Sequence, residues 1–331
     1  MSIVKNLGVG LLPAVALAAG LSAISMTPAS ATDWTYYSPQ SSPQYITPRG
    51  AERFVEKVKE ATNGELNIKF RLFGSLSIQA ADVTQAVADN VIQMGDDQIF
   101  SGNIPLAGIV KLPGLAGTYE EYDKAEAAVR PVVEAGYAEK GVMVLHRFAI
   151  PQFIWGNTPL TSLADLDGLK VRTGTPEQAE FVRKLGATSL TMGPAEVPSA
   201  LERGLVDAIV TGIGGGELWQ DQLKTAYLYP VNFNGIYIVV NKEAFDALTP
   251  EQQATVLELS AETDEWLRKT SRAEDTAALE AMRSKLTITD PTPEDIAKAA
   301  EIMPSIWEEW AEAHGPEGAE VLATVNAAMG R

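Results

Sequence analysis

The segment GLKVRTGTPEQ, residues 168–178, decides how the chain is read. A short strand over residues 169–171 ends on Arg172, and a helix start follows almost at once. Thr175 suits the cap of the first turn, Pro176 the first helical position, and Gln178 completes a capping box. A cation and a helix N-terminus placed side by side both attract anions, because the guanidinium offers paired donors and the first-turn N–H groups lack intrahelical partners. Taken alone, an arginine at a strand end is a solvated surface charge. Its neighbours change that reading.

Working outward from Arg172, the strand LKVR is followed by helix PEQAEFVRKLG, a short TSLTM, helix AEVPSALERG and strand LVDAIVTG, which together make an α/β unit. The N-terminal half has similar construction. DWTYYSP reads as a strand, Thr47-Pro48 opens a helix with Phe54, Val55 and Val58 on one face, Gly64 closes it, and LNIKFRLF alternates as a second strand. IQAADVTQAVADN then has helical spacing and VIQMGDD reads as a strand. Repeated β-α-β units imply a parallel sheet covered by helices, with ligands favoured beyond the C-terminal ends of its strands. Thr118 to Glu121 form a capping box for a helix interrupted at Pro131, before the apolar strand GVMVLHRFAI and the segment PQFIWGNTPL. After the apolar strand GIYIVVN, Thr249-Pro250-Glu251-Gln252 caps a helix that no Gly or Pro interrupts from residue 251 to 290. Up to about 35 helical residues span on the order of 50 Å, too far for one domain. The expectation is an α/β protein of two lobes, 32–150 plus 236–275 and 151–235 plus 276–331, with a hinge, a ligand cleft between them and a long helix spanning both.

Residues 1–26 carry one charge, Lys5, ahead of an apolar run, and TPASA supplies small residues at Ala29 and Ala31. This is a secretory signal peptide, residues 1–31, cut after about Ala31. The run is shorter than a membrane span needs and contains Pro13. Losing Lys5 takes the formal charge from −17 to −17 − 1 = −18, which argues against nucleic acid or an anionic membrane surface as partner. No cysteine is present, so the chain is held by core burial rather than by disulfides. His146 and His314 have no ligand-spaced neighbours, which excludes the usual zinc patterns. No Gly-x-Ser-x-Gly elbow, cysteine nucleophile or His-Glu-x-x-His helix occurs, so no catalytic residue, metal ligand or cofactor is assigned. TGIGGGELW, residues 211–219, departs from a dinucleotide fingerprint at Glu217 and reads as a mobile loop. The acidic pair Asp96 and Asp97 reads as solvated strand-end charge, with cation binding as the alternative.

The residues 163–212, LADLDGLKVRTGTPEQAEFVRKLGATSLTMGPAEVPSALERGLVDAIVTG, resemble the signature region of the solute-binding proteins of tripartite ATP-independent periplasmic (TRAP) transporters, the DctP-like family. The D-x-x-G-x-K-x-R strand, the L-G-A turn, the P-x-E-V helix opening and the A-L-x-x-G-x-V-D passage occur in one order and spacing. Weaker similarity covers the rest of the mature chain. The resemblance implies a two-lobed periplasmic binding protein that closes around a carboxylate held by the signature arginine, here Arg172. It also implies delivery to membrane permease subunits driven by an ion gradient, with no membrane insertion of the mature chain and no catalysis.

Family members that take acidic sugars have a second arginine where this chain has Gln152, and the missing charge favours a monocarboxylate. Family pocket positions also match Thr211 and Gln98, which can orient a ligand without neutralising it. Phe73 and Phe100 in the first lobe, and Phe153, Trp155 and Trp219 in the second, are expected as aromatic pocket walls or core; Trp266, Trp307 and Trp310 read as helix packing. The alternatives are a carboxylate-sensing binding protein for a receptor kinase or chemoreceptor, and a secreted enzyme acting on a carboxylic acid.

Overall fold

The computed structural model describes residues 1–2 and 31–331, so the expected leader falls almost wholly outside the described residues. From Thr32 onward the two expected β-α-β units form. β1 (Thr32–Ser38) pairs in parallel with β2 (Leu66–Leu72) and with β3 (Met94–Asp97), and α1 (Ile46–Ala61) and α2 (Val83–Ala88) make the crossovers. α1 begins one turn-position earlier than Thr47-Pro48 suggests, with Tyr45 as an extended N-cap. Phe54 and Val58 are buried as expected, and Val55 only partly so. α3 (Tyr119–Glu139) runs straight through Pro131 instead of stopping there. Tyr122, Ala125, Val129, Val133 and Tyr137 bury one face on both sides of the proline. That burial outweighs the single intrahelical bond the ring removes.

The larger departure concerns β4 (Val142–Gly156), which does not end at Ile150 but continues through PQFIWG. After β5 (Lys170–Thr173), α4 (Pro176–Lys184), β6 (Thr188–Thr191), α5 (Val197–Glu202), β7 (Ala208–Thr211) and α6 (Ile213–Leu218), the chain returns along an even longer strand, β8 (Thr225–Asn241). β4 and β8 are antiparallel from Val142↔Asn241 to Gly156↔Thr225, with register shifts at Val144/His146 and Gln152/Ile154. One mixed sheet results, ordered β2-β1-β3-β8-β4-β7-β5-β6. Its parallel pairs lie toward the two ends, as expected, but the long central pair is antiparallel. At Ala149 to Gln152, opposite Asn232 to Gly235, these two strands pair with each other alone among the described residues. This two-strand neck joins the lobes.

Period-two alternation assigns each strand's side chains to opposite covers. Tyr37, Tyr237, Val239, Ile154 and Val210 enter a core under α2, α3 and α4, whereas Tyr36, Ile236, Ile238 and Val240 pack under α1, and Trp155 and Ile209 under α5 and α6. α7 (Lys242–Asp246) leads into α8 (Pro250–Met282), 33 residues long and opened by the expected Thr249/Gln252 capping box. Val256 and Leu267 of α8 bury with the first-lobe cluster, and Ala278 and Met282 with the second-lobe cluster, so the helix spans both. It lies so close to α1 that a Cβ on Gly50 would stand 2.7 Å from Leu267. β9 (Thr287–Thr289) then adds to β8, α9 (Pro293–Ala313) follows, and α10 (Gly315–Met329) packs on α3. No described helix is long and apolar enough to cross a membrane.

Two local features differ from expectation. TGIGGGELW is a helix, α6, not a mobile loop. Three glycines in one short helix are costly in propensity, but a Cβ on Gly216 would lie 2.5 Å from the Trp155 ring, so the helix sits where only a bare backbone fits. Asp96 and Asp97, expected as solvated, are both fully buried on opposite faces of β3. Tyr36 donates to Asp96 at 2.6 Å, while Thr84 and Tyr137 donate to Asp97. Burial pushes each carboxyl up to about 6 against these donors. Two acids facing opposite ways do not share a cation.

Gly216→Ala is expected to destabilise by about 1–3 kcal/mol through overpacking, whereas Gly214→Ala, whose Cβ meets nothing within 4 Å, is expected to be neutral or to gain up to about 1 kcal/mol of helix propensity. Chemical denaturation of the pair checks this, and equal effects would refute the Trp155 contact. For Asp96 the folded carboxyl holds its proton up to about pH 6, while the unfolded one releases it near pH 4. Its stabilising share is therefore complete below about pH 4 and lost as pH rises through 6. Asp96→Asn, which keeps an acceptor for Tyr36, should be more stable than the wild type by about 1–3 kcal/mol at pH 7.5, the gain vanishing near pH 4. A stability difference independent of pH would contradict it.

Candidate functional site

The C-terminal ends of β1, β3, β5 and β7 converge beside the neck, and a cavity of about 480 Å³ opens there. The loop after β1 contributes Gln40 and Tyr45, the end of β3 Gln98, the neck Gln152 and Asn234, and the β5–α4 turn Arg172, Gly174 and Gln178. Thr211, the first turn of α6 and Trp219 close the second-lobe side. A crevice beyond the carboxyl ends of strands, where the sheet changes direction, is where open α/β sheets bind ligands.

Arg172 pairs through its backbone with Leu190 of β6 and Ile209 of β7, and its side chain is only 5% exposed. Nε and Nη2 donate to the carbonyl of Met192 at 3.1 and 2.6 Å, and Nη1 donates to that of Val210 at 3.1 Å. Five N–H groups less these three leave one on each terminal nitrogen. No carboxylate among the described residues lies within ion-pair distance. Burial pulls the guanidinium down to about 10, with Tyr45 and Glu196 opposing. The Tyr45 hydroxyl itself has no hydrogen-bond partner among the described residues. Burial holds it protonated, its pKa raised above the ordinary phenol value. The site thus presents a desolvated cation held by backbone carbonyls, with one N–H left over on each terminal nitrogen.

The turn after Arg172 forms much as its sequence suggests. Thr175 accepts from the N–H of Gln178 at 3.3 Å, but the Gln178 side chain reaches back to the N–H of Gly174 at 2.8 Å in place of the expected box contact. Its amide nitrogen donates to Asn232 at 2.9 Å, and Asn232 in turn donates to the carbonyl of Lys111 at 2.6 Å. Lys111 is fully buried; its Nζ donates to the carbonyl of Gln98 and sits 4.1 Å over the Phe100 ring. Burial lowers its ammonium to about 8, opposed by Glu177 and Asp97. A chain of polar contacts therefore runs from the Arg172 turn through the neck to the first-lobe wall.

Of the residues expected to contact a ligand, Arg172, Gln152, Thr211, Gln98 and Trp219 line this one cavity. Phe153 and Phe73 do not. Phe153 packs half-buried against the second-lobe core, because strand alternation turns it away, and Phe73 is exposed in the turn after β2. Phe100 and Trp155 are core, the latter donating from Nε1 to the carbonyl of Thr211 at 3.0 Å. Sequence reasoning missed Gln40, Tyr45, Gln178, Asn234 and the buried Lys111. Two of these left a trace: Gln178 as a helix-cap residue, and Lys111 as one charge inside the apolar run IPLAGIVKLPGLAG.

The same architecture is found among known proteins. Residues 36–313 match the model of bacterial extracellular solute-binding protein, family 7. The chain is 27% identical over 266 residues to the 2,3-diketo-L-gulonate-binding periplasmic protein YiaO of Escherichia coli, covering 76% of this chain and 78% of that protein. It is 25% identical to the C4-dicarboxylate-binding periplasmic protein DctP of Rhodobacter capsulatus, covering 85% and 86%. The crystal structure of DctP7, a Bordetella pertussis extracytoplasmic solute receptor binding pyroglutamic acid, superposes with a TM-score of 0.83 at 26% identity, over 89% of this chain and all of that one. The chain therefore belongs to bacterial extracellular solute-binding protein family 7, the DctP-like solute-binding proteins of TRAP transporters.

Proposed function

We propose that the protein is an exported, periplasmic receptor that captures an organic acid, a monocarboxylate, on Arg172 and delivers it to an ion-gradient-driven TRAP permease. The observation that carries this reading is the buried guanidinium whose two remaining N–H groups have no carboxylate partner among the described residues. A desolvated cation left unpaired is costly, and a ligand carboxylate pairing bidentately with it removes that cost. Gln152, where a second cation would suit a second acid group, lines the cavity as a neutral amide. The YiaO and DctP7 relatives, named for a sugar-acid derivative and for pyroglutamic acid, support an organic acid, and DctP of Rhodobacter capsulatus keeps dicarboxylates among the competitors to be tested. The expected lobes, 32–150 plus 236–275 and 151–235 plus 276–331, meet near the neck, so a ligand touching both walls binds the closed form better and shifts the hinge equilibrium toward it. Binding and release, with no covalent step, complete the proposed role.

Thermal-shift and calorimetric titration of the purified protein against mono- and dicarboxylates, 2-oxoacids and sugar acids tests this. A monocarboxylate should stabilise the wild type by mass action, and Arg172→Ala should weaken its binding at least about 100-fold, the scale of losing a charge-assisted, desolvated pair. A carboxylate that binds the variant as tightly as the wild type would remove Arg172 from the site. Tighter binding of a dicarboxylate would overturn the monocarboxylate assignment alone.

A further inference from the structure

We propose that Lys111 and Glu177 are a buried charge couple between the two lobes that draws together as the lobes close, positioning both cavity walls from behind. The proposal rests on the carboxylate reading of Arg172 and adds two residues that act on capture without touching the ligand. Lys111 ends the 3₁₀ helix Pro105–Lys111 of the first lobe and is fully buried. Glu177 stands in the first turn of α4, in the second lobe, and is 8% exposed. Neither lines the cavity. Of the three donors an ammonium carries, Lys111 makes one described hydrogen bond, to the carbonyl of Gln98. Oε2 of Glu177 is buried with no hydrogen-bond partner among the described residues. Neither side chain enters an ion pair among them.

Side chains three residues apart in a 3₁₀ helix eclipse, so Gly108 and Lys111 share one edge of theirs. Oε1 of Glu177 lies 2.8 Å from the point that a Cβ on Gly108 would occupy, and Nε1 of Trp310 lies 3.4 Å from the same point. The missing side chain of Gly108 is therefore the opening through which a second-lobe carboxylate enters the first lobe, one turn from Lys111. Glu177 is also the carboxylate that most supports the charge of Lys111 against its burial, ahead of Asp97. Asp97 belongs to the first lobe itself and already accepts from Thr84 and Tyr137, so it ties no lobe to the other.

Two buried charges of opposite sign held beyond bonding distance are costly, and their approach reduces that cost. The neck lies next to them: Asn232 on β8 donates to the carbonyl of Lys111 and accepts from Gln178, the residue after Glu177. A hinge rotation at this point moves α4 against the 3₁₀ helix. Pairing then carries the turn of Arg172, Gly174 and Gln178 toward the Gln98 wall that Lys111 holds. Ligand and couple favour the same closed form, so removing either charge lowers the apparent affinity for the ligand.

A double-mutant cycle in ligand binding tests the couple. Calorimetric titration with lactate, pyruvate, pyroglutamate, succinate and galacturonate identifies the acid that the wild type binds most tightly. Lys111→Met, Glu177→Gln and the double variant are then titrated with it. Each single variant should bind about tenfold more weakly, and the double variant no more weakly than either single one. The double variant carries neither charge of the couple, so it reports even where a single variant does not fold, and melting curves establish folding. The chain has no cysteine, so Glu60→Cys on α1 and Glu202→Cys on α5, both exposed, take one spin label each. Bound acid should shorten the distance between the labels in the wild type. The double variant should keep part of the unliganded distances, a change that lower stability alone does not produce. Additive losses, wild-type affinity in every variant, or identical liganded distances would overturn the couple. If any of these occurs while Arg172→Ala still abolishes binding, only the couple falls; if none of the five acids binds the wild type, the Arg172 reading falls and the couple with it.

Discussion

Everything in this fold hangs on one antiparallel ladder, β4 against β8, from Val142↔Asn241 to Gly156↔Thr225. At one end β8 carries β3, β1 and β2; at the other β4 carries β7, β5 and β6. Between them only the ladder itself continues, and Pro151 on β4 and Pro230 on β8 fall close to that neck. Each proline removes a backbone donor, and the Gln152/Ile154 bulge adds local twist. Two strands bend more easily than a full sheet, and the same stretch supplies Gln152 and Asn234 to the cavity wall. The joint between lobes and the floor of the cavity are the same residues.

The polar contacts that cross this joint follow from that economy of position. Gln178 on α4, Asn232 on β8 and Lys111 before α3 form a buried relay in which each contact has a backbone group or an amide as its partner. Buried polar groups are tolerable only when satisfied, and here the satisfied ones hold the unsatisfied ones in place: Arg172 and Gln178 share the turn at Gly174, and Lys111 fixes the backbone of Gln98. α8 supplies the stiffness that the neck lacks, since one continuous helix packs against both lobes.

The sequence shows such a molecule unevenly. The long helix was legible because Thr249, Pro250 and Gln252 mark its start and nothing breaks it for 33 residues. Arg172 was legible because it ends a strand just ahead of a cap. The length of β4 was not, since Pro151 and the bulge interrupt the pattern that a strand would otherwise show. α6 was hidden because GIGGG is poor in helix propensity, and what requires Gly215 and Gly216, the Thr211 side chain and the Trp155 ring, comes from other elements. Pro131 misled for a related reason: a local rule was overridden by burial of Val129, Val133 and Tyr137 against the rest of the lobe. Phe153 lies in a segment that reaches the cavity, but which way a strand residue faces depends on register, and that is set by pairing partners distant in sequence; Phe73 lies beyond its strand, exposed in the turn after β2.

The charge distribution completes the argument. A chain with a formal charge of −17 has an acidic surface that disfavours dianions approaching through solvent. Yet Arg172 lies 5% exposed, held by two backbone carbonyls rather than by a carboxylate. Had an acid side chain paired with it, the guanidinium would be neutralised and the cavity would have no reason to prefer an anion. Carbonyl oxygens orient the cation while leaving its charge uncancelled, so a single carboxylate entering the cavity meets an attraction that little water screens. Beside that charge the walls carry amides and hydroxyls, from Gln40, Gln98, Gln152, Asn234, Tyr45 and Thr211, together with the ion-paired Arg49 and Glu274 and the acids Glu217 and Asp275. Of the two arginines in the wall, Arg49 is paired with Glu274 and Arg172 is held by carbonyls, so Arg172 is the one whose charge a ligand would meet uncancelled.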